Sequence, residues 1–319
     1  MVKNISLKKD EQTTLKAADF SEIFKENLSD YVKTKIGEYG FSYYDVTPEE
    51  RDACIKKIMS TLLDDHLVRA GEHRIDDWEK GWSENLQKTT GSSILDISSA
   101  IPHYFGKHPF VRLNQKFVKP AATNFEYNML RIILDWLFDK YMRDADSIYE
   151  FGCGTGHHLF RIRDINPYAN LWGLDWAQSS QKIIRKFASA NGDPKLFAHR
   201  FDYFHPDRDF VIAKDAIVYT IASLEQIGTE FHKFVSYLQK NKPKLCIHVE
   251  PIAELLDENN LLDYLSVEYF KKRNYLSGFL THLRELENKG KVKILKAQRT
   301  HIGSLFIEGY SVIVWTPSV

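Results

Sequence analysis

Two stretches of this chain carry residue types at spacings that could do chemistry. The first is Glu150-Phe-Gly152-Cys-Gly154-Thr-Gly156, an acid followed by three alternating glycines. It continues the apolar run Ser147–Phe151 and leads into a helical stretch, so unhindered backbone can approach a ligand at the positive end of a helix dipole. A nucleotide-type ligand is implied. Dinucleotide-binding turns also alternate glycines, but their pattern wants glycine at position 157, where this chain has His157. An acid at 150 would also gain nothing from a pyrophosphate; a carboxylate there suits a cationic ligand. The second stretch is Lys244-Leu-Cys-Ile-His248-Val-Glu250-Pro251. Strand alternation puts Cys246, His248 and Glu250 on one face, with Glu250 at the exit, where ligands lie in open α/β sheets. Glu250 is the favoured candidate for acceptor binding or proton removal. His248, deeper in the strand, is either its support or a hydrogen-bonded core histidine.

The turn Glu150-Phe-Gly-Cys-Gly-Thr-Gly156 resembles the first motif of the class I S-adenosylmethionine (SAM)-dependent methyltransferases: an acid, one spacer, then GxGxG. The resemblance covers roughly residues 120–319 and implies SAM as cofactor, with S-adenosylhomocysteine (SAH) as product. By the same resemblance, Gly152, Gly154 and Gly156 pass under the methionine part of SAM, and Glu150 helps to hold the loop or the amino group. Asp175, ending Leu171-Trp-Gly-Leu-Asp-Trp176, takes the ribose hydroxyls; its distance from the turn is close to the roughly 20 residues expected of a ribose-binding acid. Trp176 lies against the adenine and Asp202 meets its amino group. Glu225 and Gln226 stand in the region that faces the transferred methyl in that family. An Asn/Asp-Pro-Pro-Tyr motif is absent there, which disfavours methylation of adenine or glutamine nitrogen.

Plainer roles stand beside these. Asp175 and Asp202 could cap helices, Trp176 could be core, and Glu225 could open a helix as an ordinary first-turn glutamate. His157 and His158 are adjacent, so they point to different sides of a helix start and suit packing or surface better than metal ligation. No metal site is expected.

Positioning these residues requires strands that alternate with helices. After Pro120 the sequence reads that way: a helix over residues 124–141, then short apolar strands at 147–151, 170–174, 196–201, 216–221 and 244–249, with helical segments between. Two last strands, 292–297 and 310–315, are joined by a loop too short for a helical crossover, so they should pair antiparallel. The fold expected is α/β, a mostly parallel seven-stranded Rossmann-like sheet with an antiparallel last strand. Before it, residues 1–119 read as a helical cap and connecting region. Apolar residues from Phe20 to Tyr39 keep helical spacing, and Thr47-Pro48-Glu49-Glu50 has the residues of a capping box. A short helix carries Trp78, Trp82 and Leu86; from Thr89 to Lys119 periodicity is lost. Residues before about Thr89 are expected to shape acceptor binding, and 120–319 to form the SAM domain.

Composition narrows the function. Lys plus Arg and Asp plus Glu both number 43 among 319 residues, so no general electrostatic pull toward nucleic acid or anionic membrane is present. Three cysteines without CxxC spacing argue against a disulfide framework or zinc site and fit a reducing, cytoplasmic setting. No stretch reaches the roughly 18 apolar residues of a membrane span. The expected function is methyl transfer to a small polar metabolite, with oxygen ahead of nitrogen as acceptor. The alternatives are a non-catalytic SAM-binding subunit and a methyltransferase of RNA or protein, while Glu150 and His157 disfavour a nicotinamide-dependent dehydrogenase. A homo-oligomer stays open. Lys271, Lys272, Arg273, Tyr275 and His301 could close over an acidic acceptor, though a solvated basic helix end is the favoured reading.

Overall fold

The computed structural model describes residues 11–90, 101 and 105–318. The chain opens with β1 (Thr13–Thr14), α1 (Ala17–Phe24) and α2 (Asp30–Tyr39). The helical spacing from Phe20 to Tyr39 is divided because Lys25 takes a left-handed φ of 54° and ends α1. Ser29 then caps α2, its hydroxyl accepting from the Val32 amide at 3.3 Å. After β2 (Ser42–Asp45), α3 (Pro48–Leu62) starts on the expected capping box. Thr47 Oγ1 accepts from the Glu50 amide at 3.2 Å, and Glu50 Oε2 from the Thr47 amide at 2.9 Å. Next comes α4 (Ile75–Thr90), longer than the expected short helix.

Strands β3 (Val111–Leu113) and β4 (Lys116–Pro120) form a hairpin in a region that reads as irregular in sequence. Its two-residue turn, Asn114-Gln115, has φ of 49° and 60°, the double left-handed conformation such turns need, yet no glycine marks it. The alternating part follows: α5 (Phe125–Tyr141), β5 (Ser147–Phe151), α6 (His157–Ile165), β6 (Asn170–Asp175), α7 (Gln178–Ala190), β7 (Leu196–Arg200), β8 (Ile217–Ile221), α8 (His232–Asn241) and β9 (Leu245–Glu250). The chain closes with α9 (Leu261–Arg273), α10 (Phe279–Asn288), β10 (Val292–Gln298), β11 (Ile302–Gly303) and β12 (Ser311–Pro317).

The main sheet has seven strands in the order β10-β12-β9-β8-β5-β6-β7. Strands β9, β8, β5, β6 and β7 run parallel, while β12 lies antiparallel to both β9 and β10. Alternation divides the side chains between two cores. Ile247 and Val249 of β9 join the face packed on α5, α6 and α7, and Cys246 joins the face packed on α8 and α10. Burying a side chain such as Phe138 or Phe234 contributes roughly 1.5–3 kcal/mol, so both faces are well anchored.

The N-terminal segment contains strands as well as the expected helices. A second, antiparallel sheet has the order β1-β2-β4-β3-β11; four strands come from the first 120 residues and the last from the C-terminal hairpin. The boundary expected between 119 and 120 falls inside β4. Arg112 in β3 fastens this sheet to α9, donating to the Leu262 carbonyl (2.5 Å), Ser266 Oγ (2.6 Å) and the Leu305 and Phe306 carbonyls (3.1 and 2.8 Å). Among the described residues no helix is long and apolar enough to cross a membrane.

Candidate active site

At the end of β5 the chain turns at once, because Gly152 (φ 68°) and Gly154 (φ 53°) take left-handed backbone that a side chain disfavours. Space also requires glycine: a Cβ on Gly152 would lie 2.4 Å from Ser223 Cβ, and one on Gly154 would lie 2.8 Å from the Trp82 ring. Strand β6 holds the turn, since the Gly152 and Cys153 amides both donate to the Leu174 carbonyl (2.7 and 3.0 Å). Gly156 lies behind it, against Ile184 of α7.

Glu150 is buried beneath the turn. The Tyr219 hydroxyl donates to its Oε2 at 2.9 Å, and His158 Nδ1 stands 2.8 Å from its Oε1. Burial pushes this carboxyl up to about 8, so the acid ties β5, β8 and α6 together. Asp175 is also buried, with Oδ2 accepting from the Gly154 amide and Oδ1 from the Ala177 amide, both at 2.9 Å. It holds the turn and caps the approach to α7, and burial raises it to about 6. Beside it Trp176, Tyr203, Trp78, Trp82 and Gly152 line a narrow cleft of about 70 Å³. Glu79 of α4 anchors the tryptophan-bearing helix there, accepting from Ser179 Oγ at 2.5 Å and from the Ser179 amide at 3.2 Å. Asp202 lies outside the cleft; its Oδ1 accepts from the Phe204 amide at 2.8 Å and its Oδ2 stands 3.3 Å from His205 Nδ1. With Glu72, these two form a cluster whose ligand-type atoms lie within 4.8 Å of one another.

A larger cavity of about 440 Å³ shares Trp78, Trp82, Gly152, Ala222 and Gln226 with the cleft. Helix α4 therefore borders both spaces. The larger one is lined by Glu150 and Gly154 at the turn, and by Glu225, Tyr269, Arg273 and Tyr275 elsewhere. His157 and His158 also face it, buried, with their Nε2 atoms unpartnered. Burial holds both imidazoles neutral, His158 down to about 3. They are neither at the surface nor part of a metal cluster among the described residues.

Glu225 reaches the cavity through a turn that Glu250 clamps. After β8, Ala222 takes a left-handed φ of 45°. Glu250 Oε1 then accepts from the Ser223 and Leu224 amides at 3.1 Å, and its Oε2 from the Glu225 amide at 3.3 Å. His248 stands behind this clamp. The Trp315 indole donates to its Nε2 at 2.9 Å, and an indole can only donate, so the imidazole proton is on Nδ1 and goes to Thr220 Oγ1 at 2.9 Å. His248 and Glu250 are fully buried and line neither cavity. The side chain at the cavity is Glu225, partly exposed there and hydrogen-bonded by Gln226 Nε2 at 2.8 Å. Loss of surrounding water, with the like charge of Glu250 second, pushes its carboxyl up to about 8.

No protein-family model and no curated protein matches this chain. Solved structures similar to it include the 4+2 cyclase SpnF, at a TM-score of 0.50 and 12% identity over 79% of this chain and 98% of that one. Magnesium protoporphyrin IX methyltransferase (ChlM) from Synechocystis PCC 6803 with bound SAH is similar at a TM-score of 0.48 and 12% identity, over 76% of this chain and 98% of that one. The chain has a Rossmann-like α/β fold, a seven-stranded, mostly parallel sheet with antiparallel C-terminal strands. Glu150, Gly152, Gly154, Asp175, Trp176 and Glu225 line one of the two cavities, whereas Gly156, Asp202, His248 and Glu250 do not. Trp78, Trp82, Tyr269 and Arg273 line the cavities as well. The aromatic face of α4 is visible in sequence, but nothing in it says what that face covers.

Proposed function

We propose that this chain is a SAM-dependent methyltransferase of a small polar metabolite, with oxygen favoured over nitrogen as the acceptor atom. The observation that carries the reading is the larger cavity, which places the glycine turn and the carboxyl of Glu225 on the same space. The cradle fits the cofactor: the turn admits no Cβ, α6 begins beside it, and its flanking histidines are neutral. Glu150, Gly152 and Gly154 would hold the methionine part, and Asp175, Trp176 and Tyr203 the nucleoside. Bound there, SAM supplies a methyl group on a positively charged sulfur.

The chain's own share is to orient the acceptor, exclude water and take the hydroxyl proton onto Glu225. Glu250 holds the backbone from which Glu225 projects. Because the fold is shared with a cyclase, it does not by itself choose the reaction. Incubation with labelled SAM and fractionated metabolites tests the proposal, with label expected in a small polar product. Glu225→Gln should lower turnover roughly 100-fold while SAH affinity stays near wild type. Activity of the wild type should rise with pH toward about 8, as Glu225 loses its proton. Full turnover in Glu225→Gln would remove the base assignment, and a chain that binds no SAH would remove the function.

A further inference from the structure

Arg273 is the last residue of α9, and its backbone is fixed from two sides. Its carbonyl accepts from the Ala70 amide at 2.7 Å, and the next residue, Asn274, donates from its side-chain amide to the Ala70 carbonyl at 3.0 Å. The guanidinium carbon lies 5.0 Å from the Tyr275 ring centroid and 5.9 Å from that of Tyr269. Two aromatic faces therefore orient the group while leaving N–H groups for another partner. Several guanidinium groups withdrawn from water are met by carboxylates, whereas that of Arg112 is met by carbonyls and Ser266 Oγ and that of Arg131 lies over the Tyr39 ring. Asp135 meets Arg161, Asp193 meets Arg163, and Asp263 and Glu308 together meet Arg299. Arg273 makes no ion pair among the described residues, and its buried Nε has no hydrogen-bond partner.

Below about pH 8 the rest of the cavity supplies little competing anionic charge, although Glu225, once ionised, attracts Arg273. The acids that line it are Glu126, Glu150 and Glu225, and burial raises all three toward the neutral carboxylic acid. Arginine keeps its charge at any working pH, and Lys107 lines the same space, as does Arg74, which pairs with Asp77 at 2.6 Å. Burial also keeps the Tyr269 and Tyr275 phenols protonated, so both can donate. The space is positive and rich in donors, and an unpaired guanidinium in a partly dry site gains most from a planar or tetrahedral oxyanion that it can grip with two N–H groups.

We propose that the acceptor of this enzyme carries an oxyanion, a carboxylate or a phosphate, which Arg273 seats between Tyr269 and Tyr275. The proposal rests on the methyl-transfer reading above and specifies the class of substrate. It also separates Arg273 from Lys271 and Lys272, which pair with Glu268 and Asp65 outside this cavity.

The test uses the full chain saturated with SAH, titrated by calorimetry at constant ionic strength with inorganic phosphate and, separately, with acetate. Wild type is expected to bind at least one of them more tightly than chloride. The tighter of the two assigns a phosphoryl or a carboxylate acceptor. Arg273→Gln should weaken that binding roughly 10-fold or more, the loss of one charge-assisted contact, and Arg273→Lys should restore part of it. SAH affinity should be unchanged in both, which also shows that they are folded. If Arg273→Gln fails to bind SAH, Tyr275→Phe replaces it, and anion binding several-fold weaker than wild type is then expected. Wild type that binds SAH but neither anion better than chloride would overturn the oxyanion site and leave methyl transfer standing. Unchanged anion affinity in a folded Arg273→Gln would do the same. A wild type that binds no SAH would take both readings away.

Discussion

Asp175, Glu150, Glu225 and Glu250 share one electrostatic fate, because loss of water acts on each more strongly than any partner. Folding raises Glu150 and Glu225 to about 8, Glu250 to about 7 and Asp175 to about 6, from ordinary values near about 4. The folded chain thus holds protons that the unfolded chain releases, and the stability each contributes in acid is lost as pH rises through its folded value. His157, His158 and His248 act in the opposite sense. Burial keeps them neutral, His158 and His248 down to about 3, so their contribution is present above about pH 6.5 and lost as pH falls. The two slopes oppose each other between about pH 4 and 6.5, and above that only the carboxyls remain. Melting temperature should therefore be nearly level from about pH 5 to 6.5 and fall toward pH 8, with a shallower fall in Glu225→Gln. A melting temperature that climbs toward pH 8 would show that these acids are ionised in the folded chain.

At the scale of the element, the turn after β8 is the joint between scaffold and chemistry. Glu250→Gln replaces one carboxylate oxygen by an amide that faces backbone N–H groups, so it should cost about 1–3 kcal/mol of stability. Calorimetric unfolding would measure this, and turnover should fall less than in Glu225→Gln. The reverse order of the two activities would return the base to β9. The strands of the main sheet are legible in sequence because buried strands read as short apolar runs, and β5 spans the expected residues 147–151. The glycine turn is legible for the same reason, as a strand that stops at residues no side chain could replace. The small sheet is not: β1 and β11 have two residues each, and its Asn114-Gln115 turn lacks the usual glycine. Helix α9, which supplies Tyr269 and Arg273, escapes because Leu262, Asp263, Leu265, Ser266, Val267 and Phe270 are all buried. Its exposed stripe carries Leu261 and Tyr264 while its buried face holds Asp263 and Ser266, so polarity does not follow the helical period. Burial of Glu250 against backbone amides is equally invisible, since sequence gives the end of a strand but not what turns back over it.

At the scale of the molecule, the N-terminal segment shares a core with the part that follows residue 120. One hydrophobic core runs from Phe20 and Phe41 through α5 to Ile148 and Val312, and Phe24 stacks on Trp136 at 4.3 Å. A chain beginning near Leu113 would expose that core, so it should lack cooperative thermal unfolding by circular dichroism and bind no SAH. A truncated chain that folds and binds SAH would establish two independent domains. The pairing of β3 with β11, Leu113 opposite Ile302 and Arg112 opposite Gly303, bears on biosynthesis as well. A ribosome completes β3 long before its partner exists, and an uncovered strand edge is a template for other chains. During translation β3 must wait beside its hairpin mate β4, so a lesion near Ile302 would surface as aggregation that begins at a strand made almost two hundred residues earlier.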